Sequence, residues 1–198
     1  MRETPNKILQ NIRLLLRNGA EDRNHGFHLP VFSNINASHL ISSKIVVLRH
    51  YDEKKNILNF HTDIRSNKVN NLKKNPNTFF LFYDSKIKIQ LKIKTVSTIN
   101  FNNEITQNWW SKTNLSSRKC YLTKKNPSSY TNKAEDGLPK HLKGVNPKLD
   151  ESEQGYKNFV VITNNINEIE WLNLSAKGHR RLLINFDKKI KKFNWLIP

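Results

Sequence analysis

Residues 44–68 read KIVVLRHYDEKKNILNFHTDIRSNK, which predicts strand, turn, strand and helix in succession. Residues 44–51 are rich in β-branched side chains, as is typical of a buried strand. The polar residues 52–56 are of the kind that closes a β-hairpin, and residues 57–62 form the returning strand. Ser66 is suited to cap a short helix directly after it. The stretch therefore predicts an antiparallel hairpin that leads into a helix.

Further strand signals surround this hairpin, and helical signals are few. The predicted strands cover residues 27–35, 78–83, 87–99, 158–163, 168–174, 181–186 and 193–197, and the predicted helices cover residues 5–18 and 103–122. Short strands joined by turns indicate a mainly β fold with peripheral helices, either an antiparallel barrel or a sandwich. We expect a single domain over residues 1–198, with a helical arm at 1–26 and a long loop or lid at 124–155.

The composition excludes several classes of protein. No apolar stretch approaches the roughly 20 residues of a membrane span. The N-terminus does not read as a signal peptide, and no glycine pattern fits a Rossmann site or a P-loop. The single cysteine, Cys120, predicts a reducing compartment such as the cytoplasm. The formal charge of +18 is spread over the chain, and it leaves a basic nucleic-acid-binding barrel as an alternative suggested by charge alone.

The junction between the hairpin and its helix has the residues of a phosphate site. Thr62, Arg65 and Lys68 lie within a few residues of the helix start at Ser66. Free backbone N–H groups at a helix start, together with hydroxyls and two cations, bind phosphate well. The alternative is a capped surface helix whose cations are incidental.

A second polar feature lies near the C-terminus, where residues 178–181 read GHRR. His179 and Arg181 are two residues apart, so on a strand they share one face, whereas Arg180 points the other way. A histidine and an arginine on one face suit an anionic or electron-rich ligand. The alternative is a polar strand edge.

Five segments, in this order and spacing over about residues 27–198, resemble the pyridoxamine 5′-phosphate oxidase family. They are KIVVLRHYDE at 44–53, LNFHTDIRSNK at 58–68, Gln90, IEWL at 169–172 and HRR at 179–181. The chain is most similar to the branch of FMN-binding oxidase-like proteins with Thr-Asp-x-Arg-Ser-x-Lys and His-Arg-Arg. The resemblance implies a split β-barrel homodimer with FMN at the subunit interface.

The resemblance also implies a set of site residues. It places FMN against Lys44, Ile45, Val46, Val47, Leu48, Arg49, His61, Thr62, Arg65, Ser66, Lys68, Gln90, Trp171, Leu172 and Arg181. Among these, Arg65, Ser66 and Lys68 would hold the phosphate, and Gln90 would face the isoalloxazine ring. Trp171 or Leu172, with Arg181, would come from across the dimer. Arg49 and His179 fit positions on the substrate side. No catalytic residue and no metal site is assigned.

Two departures from the family pattern bear on the substrate. Asn67 stands where pyridoxamine phosphate oxidases have a basic residue directly before Lys68. Residues 112–119 read KTNLSSRK, a poor match to the family's Arg-Pro-Arg-x-Ser-Gln segment for the substrate phosphate. We therefore expect an FMN-dependent oxidoreductase whose best candidate substrate is pyridoxamine or pyridoxine 5′-phosphate. The alternative is a flavin-binding sensor, carrier or stress protein without vitamin B6 oxidase activity.

Overall fold

The computed structural model describes residues 3–186 and 191–198, so the first two residues of the predicted arm lie outside the described residues. Within the described residues the strands are β1 Val31–Ile35, β2 Ile41–Ile45, β3 His50–Asp52, β4 Ile57–Asp63, β5 Asn77–Asp84, β6 Ile89–Asn100, β7 Phe159–Asn173, β8 Arg180–Phe186 and β9 Lys191–Leu196. The helices are α1 Pro5–Glu21, α2 Asn67–Lys74, α3 Glu104–Lys112, α4 Leu115–Arg118 and α5 Leu149–Glu153. The turn at 52–56, the returning strand and the helix after it are confirmed, but the single strand predicted over 44–51 is wrong, because residues 46–49 belong to no strand and separate β2 from β3.

The strands close into a barrel because one chain segment, 41–52, supplies both ends of the sheet. The antiparallel order is β2-β1-β5-β6-β7-β4-β3, and β2 and β3 are the two ends of that segment. Between them, the backbone N–H groups of Val46 and Leu48 donate to Pro30 and His28, and that of Arg49 donates to Asn59. Strand β4 pairs with the first half of β7, whereas β8 pairs with the second half, and β9 pairs with β8. The result is a mainly antiparallel split barrel, as expected.

Strand β7 corrects the sequence prediction of two separate strands at 158–163 and 168–174. It is one strand of 15 residues. The polar run in its middle resembles a turn, but Asn164 is fully buried. Its side chain accepts from the Ser97 hydroxyl and donates to the carbonyls of Leu58 and Ile162. Ser97 and Leu58 lie on the neighbouring strands β6 and β4, so the asparagine bridges three strands and continues β7 instead of ending it.

The helices cover the barrel with apolar faces. Helix α1 buries four residues in the barrel core, namely Ile8, Leu9, Ile12 and Leu16. It was predicted to end at Gly19 but continues to Glu21, and Gly19 permits a close contact with Phe27 that a side chain would obstruct. In α2, Val69 and Leu72 are buried. None of the described helices combines the length and the apolar character that crossing a bilayer requires.

The helix predicted over 103–122 is divided into pieces. It comprises α3, α4 and a short 3-10 turn at Lys119–Leu122. The break occurs because the Asn114 side chain accepts the Ser117 N–H and so starts α4 anew. Beyond it, residues 124–155 are mostly irregular and contain α5 and one 3-10 turn. The pieces build a second apolar cluster on the outside of β7, formed by Trp110, Tyr121, Phe159 and Val161.

Candidate functional site

Two lysine side chains lie within electrostatic reach of each other beside the start of α2. The Lys44 ammonium on β2 donates to the Asn34 side-chain oxygen and to the Ser42 hydroxyl, both at 3.0 Å. The Lys68 ammonium in the first turn of α2 donates to the Thr62 hydroxyl at 2.7 Å. All three acceptors are neutral. Neither Asn34 nor Ser42 was predicted: the pairing of β1 with β2 brings Asn34 to Lys44, and Ser42 lies two residues before Lys44 on the same face of β2.

Burial disfavours the charged form of both lysines. Burial lowers the pKa of Lys44. Burial also lowers the pKa of Lys68, and the nearby Lys44 charge lowers it further, against an opposite effect of Asp63. Within residues 3–186 and 191–198, neither ammonium forms an ion pair with a carboxylate. Two such cations side by side fit a bound dianion, which would relieve their repulsion.

The start of α2 adds neutral donors to this charge. Ser66 is the N-cap residue, but its side chain makes no capping hydrogen bond, and the first turn contains no acidic residue. The hydroxyls of Ser66 and Thr62 are buried and 3.5 Å apart. Uncapped N–H groups, hydroxyls and two ammonium groups are the donors that a phosphate monoester requires. The residues present therefore fit the phosphate of FMN.

Arg65 occupies a different place from the one predicted. Its guanidinium donates to both carboxylate oxygens of Asp63, at 2.9 and 2.6 Å. It also donates to the backbone carbonyl and the hydroxyl of Thr123, both at 3.0 Å. These four hydrogen bonds use most of its donors, so the structure does not offer Arg65 as a free phosphate ligand. Asp63 lies two residues before Arg65, so the sequence already contained a carboxylate close enough to bind this guanidinium.

Arg49 and His61 lie on the outside of the barrel near the second apolar cluster. Arg49 is exposed, and its backbone N–H bonds to Asn59. Burial, with a smaller effect of the Arg49 charge, lowers the pKa of His61 to about 3. The His61 ring contacts the rings of Trp109 and Phe159, with centroids 5.3 and 4.9 Å away. At neutral pH, Arg49 is therefore the charged group of this pair and His61 is neutral.

The segment joining these two places alternates in burial. Val46 and Leu48 are buried in the core, and Val47 is half-buried. Ile45 is 67% exposed. Only Ile45, Val47 and Arg49 of this predicted flavin strand thus offer side chains to a ligand on the outer surface.

A second group of predicted residues lies at the far end of the β6–β7 ladder. Gln90 pairs with Leu172, and Leu172 pairs with Arg181, so the three side chains share the outer face. Arg181 donates to Glu170 at 2.7 Å. Trp171 lies on the opposite face, where it is buried in the barrel core. The structure therefore groups Leu172, and not Trp171, with Gln90 and Arg181.

His179 lies beside this group in the turn between β7 and β8. Its Nδ1 accepts the Ser175 N–H at 3.0 Å. It lines a groove of about 840 Å³ that Arg181, Lys177 and Trp195 also line. The Arg180 guanidinium instead lies over the Trp171 ring, 5.3 Å from its centroid.

The two groups are well separated within one chain. Thr62 pairs with Val160 at one end of β7, whereas Gln90 pairs with Leu172 at the other. Residues 160–172 span roughly 40 Å of extended strand at about 3.3 Å per residue. One chain therefore presents the predicted residues as two separate half-sites: the phosphate half-site at Lys44 and Lys68, and the distal half-site at Gln90 and Arg181.

The fold is that of the FMN-binding split β-barrels, and the hydrogen-bond donors at the start of α2 fit the phosphate of FMN. Residues 12–100 match the family model of the pyridoxamine 5′-phosphate oxidase, FMN-binding domain. This match confirms the resemblance seen in the sequence and the cofactor that it implied. The matched region contains the whole phosphate half-site and Gln90, and it ends before Trp171, His179 and Arg181. No curated protein matches the chain.

Solved structures with similar folds cover the chain from end to end. A pyridoxamine 5′-phosphate oxidase-related, FMN-binding protein from Nostoc punctiforme PCC 73102 superposes with a TM-score of 0.76 at 16% identity, over 100% of both chains. PhzG from Burkholderia lata 383, in complex with tetrahydrophenazine-1-carboxylic acid, gives 0.70 at 16% identity, over 100% of this chain and 94% of PhzG. A protein from Clostridium acetobutylicum related to general stress protein 26 gives 0.56 at 10% identity, over 98% and 97%. At these identities the likeness establishes the fold.

Proposed function

We propose that this chain is an FMN-dependent oxidoreductase that accepts a hydride from a small substrate. The observation that carries the proposal is a pair of half-buried lysines, Lys44 and Lys68, that lie near each other beside the start of α2 and form no ion pair with a carboxylate of the described residues. Such a pair is costly to a protein that leaves it empty and favourable to one that binds a phosphate.

The protein's own part in this function is binding and orientation. Lys44, Lys68, Thr62 and Ser66 would hold the phosphate, and the segment 45–49 would run along the flavin. When bound, FMN supplies the hydride-accepting chemistry. The exposed Arg49, beside a neutral His61, provides a positive charge for an anionic group of the substrate.

The active form is proposed to be a homodimer. The outer face of β2, β1 and β5 carries Ile45, Val31 and Leu81 side by side. Ile45 is 67% and Ile41 is 79% exposed on this face, which is unusual for isoleucines on a regular sheet. The same outer face carries the distal half-site on β6 to β8. A second copy packed on it would bring its distal half-site to the first copy's phosphate half-site and so complete one flavin site.

Flavin retention tests the proposal directly. The purified protein is incubated with FMN, desalted and examined by absorbance, and we expect it to retain the near-ultraviolet and blue flavin bands. Lys44→Ala with Lys68→Ala should lose them. The matched control is Lys73→Ala with Lys74→Ala, which removes two exposed lysines from the last turn of the same helix. Wild-type protein without retained flavin would contradict the proposal, and binding of nucleic acid by the +18 chain would then be tested.

Pyridoxamine or pyridoxine 5′-phosphate is the first substrate to test, by following oxidation in the flavin-loaded protein. A specific observation favours a second candidate, a flavin-binding protein that does not oxidise vitamin B6. Arg118 lies in the stretch that corresponds by resemblance to the family's substrate-phosphate segment. It is buried, and its guanidinium is bound to Glu153 and to the carbonyls of Trp110 and Thr113. Retained flavin without turnover would support this second candidate.

The cytoplasm is the proposed compartment. Cys120 is exposed and free, and a free surface thiol suits a reducing environment. Fractionation of the producing cells, with an antibody against the chain, tests this assignment.

A further inference from the structure

We propose that Arg65 is a positioning residue that couples flavin binding to the base of the segment 124–155. Through Asp63 and Thr123 it ties the turn before α2 to the residue that precedes this segment. The inference rests on the proposed flavin site and adds to it a role for Arg65 other than that of a phosphate ligand.

The junction consists of well-formed hydrogen bonds around a buried carboxylate. Asp63 is 7% exposed and accepts both the side chain and the backbone N–H of Arg65. The bidentate contact fixes the plane of the guanidinium. Two further N–H groups of Arg65 donate to the Thr123 carbonyl and hydroxyl. Arg65 therefore holds the two chain segments together as a rigid connector.

The same turn also binds the other end of the segment 124–155. The Ile64 N–H donates to the Asn158 carbonyl at 2.9 Å. The Asn158 side chain donates to the Tyr121 carbonyl at 2.8 Å. Asn158 and Tyr121 lie on opposite sides of the segment in the chain, so the turn 63–65 fastens the chain just before and just after it.

The flavin phosphate would bind on both sides of this turn. Thr62 and Ser66 flank residues 63–65, and both belong to the phosphate half-site. An anion that fixes Thr62 and Ser66 restrains the residues between them, and these hold the base of the segment through Arg65. By linkage, a more ordered base must in turn favour the anion.

Removing Arg65 would also change the electrostatics of the phosphate half-site. This change must be distinguished from the loss of coupling between flavin binding and the segment 124–155. Asp63 acts on the charge of Lys68, so it lies within electrostatic reach of the phosphate half-site. In Arg65→Ala its buried carboxylate would lose its partner and repel the phosphate. Asp63→Asn with Arg65→Ala removes that charge as well, and it also avoids the folding defect of an unpaired buried carboxylate.

The experiment measures two quantities for each variant. The Kd of FMN is measured by flavin fluorescence, and hydrogen–deuterium exchange is followed in peptides covering residues 119–139, with and without FMN. In the wild type we expect FMN to slow this exchange. Arg65→Ala should bind FMN at least about tenfold more weakly. Asp63→Asn with Arg65→Ala should return to within about threefold of the wild-type Kd, yet FMN should no longer slow its exchange.

Lys68→Ala is the matched control, because it weakens FMN binding but leaves the junction intact. Its exchange over 119–139 without FMN should equal that of the wild type. The proposal is overturned if the double variant binds FMN as weakly as Arg65→Ala, since Arg65 would then contact the phosphate itself. It is equally overturned if FMN still slows exchange in the double variant, or fails to slow it in a wild type that binds FMN. A wild type that binds no FMN would instead reject the proposed function.

Discussion

The start of α2 and the segment from α3 to Thr123 place cations in opposite electrostatic situations. At the start of α2, the described contacts of Lys44 and Lys68 are hydrogen bonds to neutral groups, and the Lys44 charge lowers the pKa of Lys68. In the other segment, Arg118 is buried against Glu153 and stacks on Trp110, 4.7 Å from the ring centroid. The difference shows that the groups around a cation indicate its role better than its place in a sequence motif. A buried cation that is paired with a carboxylate, such as Arg118, stabilises the fold, whereas Lys44 and Lys68 are suited to bind an anion.

The comparison predicts its largest effect at Arg118. Arg118→Met removes the donor to the carbonyls of Thr113 and Trp110, and buried acceptors without donors are costly. We expect the free energy of unfolding to fall by about 3 kcal/mol, measured by urea denaturation. Lys112→Met is the control in the same segment, because its exposed ammonium only lies over Trp109 at 5.8 Å. An equal loss in both variants would contradict the distinction.

Lys68 should behave in the opposite way. In Lys68→Met a half-buried charge is lost that forms no ion pair with a carboxylate in residues 3–186 and 191–198, so the free energy of unfolding without FMN should stay the same or rise. The Kd of FMN should rise about 30-fold, which is the effect of about 2 kcal/mol from one charged hydrogen bond to the phosphate. Urea denaturation and flavin fluorescence give the two values. A variant that is less stable yet binds FMN normally would mean that Lys68 stabilises the fold and does not bind the phosphate.

Local signals were sufficient for the elements that carry Thr62, Ser66 and Lys68, but not for β2, which carries Lys44. The turn at 52–56, the strand after it and the helix with buried Val69 and Leu72 follow from neighbouring residues. The partners of individual side chains did not follow. Arg65 binds Thr123, 58 positions away, and Asn164 binds the carbonyl of Leu58, 106 positions away. Such contacts depend on the barrel's closure, which no local pattern encodes.

Strand register is the second reason why the distal half-site was only partly predicted. Apolar and polar residues alternate over 87–94, which predicts that Gln90 lies on the polar face of its strand, and it does. Which of Trp171 and Leu172 shares that face depends on the pairing of β6 with β7, and a shift by one residue exchanges them. The sequence left both residues as candidates, and the register favours Leu172.

The neutral His61 extends the comparison to pH. Its pKa is lowered from 6.5 to about 3 by burial and by Arg49, so below pH 6.5 the unfolded chain binds a proton that the folded chain does not. The free energy of unfolding should therefore fall by about 1.4 kcal/mol between pH 7.5 and pH 5.5. His61→Phe should abolish this part of the loss, whereas His39→Gln, at an exposed position, should retain it. Identical pH profiles for His61→Phe and the wild type would contradict the buried, neutral state.

The smallest effect is expected for a cation that is paired but exposed. Arg17 on α1 contacts Glu53 at 2.5 Å, with half of the Arg17 side chain exposed. In Arg17→Gln, Glu53 keeps its contact with Arg13 at 3.3 Å, and water solvates what remains. The free energy of unfolding should change by less than about 0.5 kcal/mol, and the Kd of FMN should not change. A loss as large as that of Arg118→Met would mean that pairing alone, without burial, makes a cation structural. The expected small value would instead mean that a paired but exposed cation adds little stability, in contrast to the paired and buried Arg118.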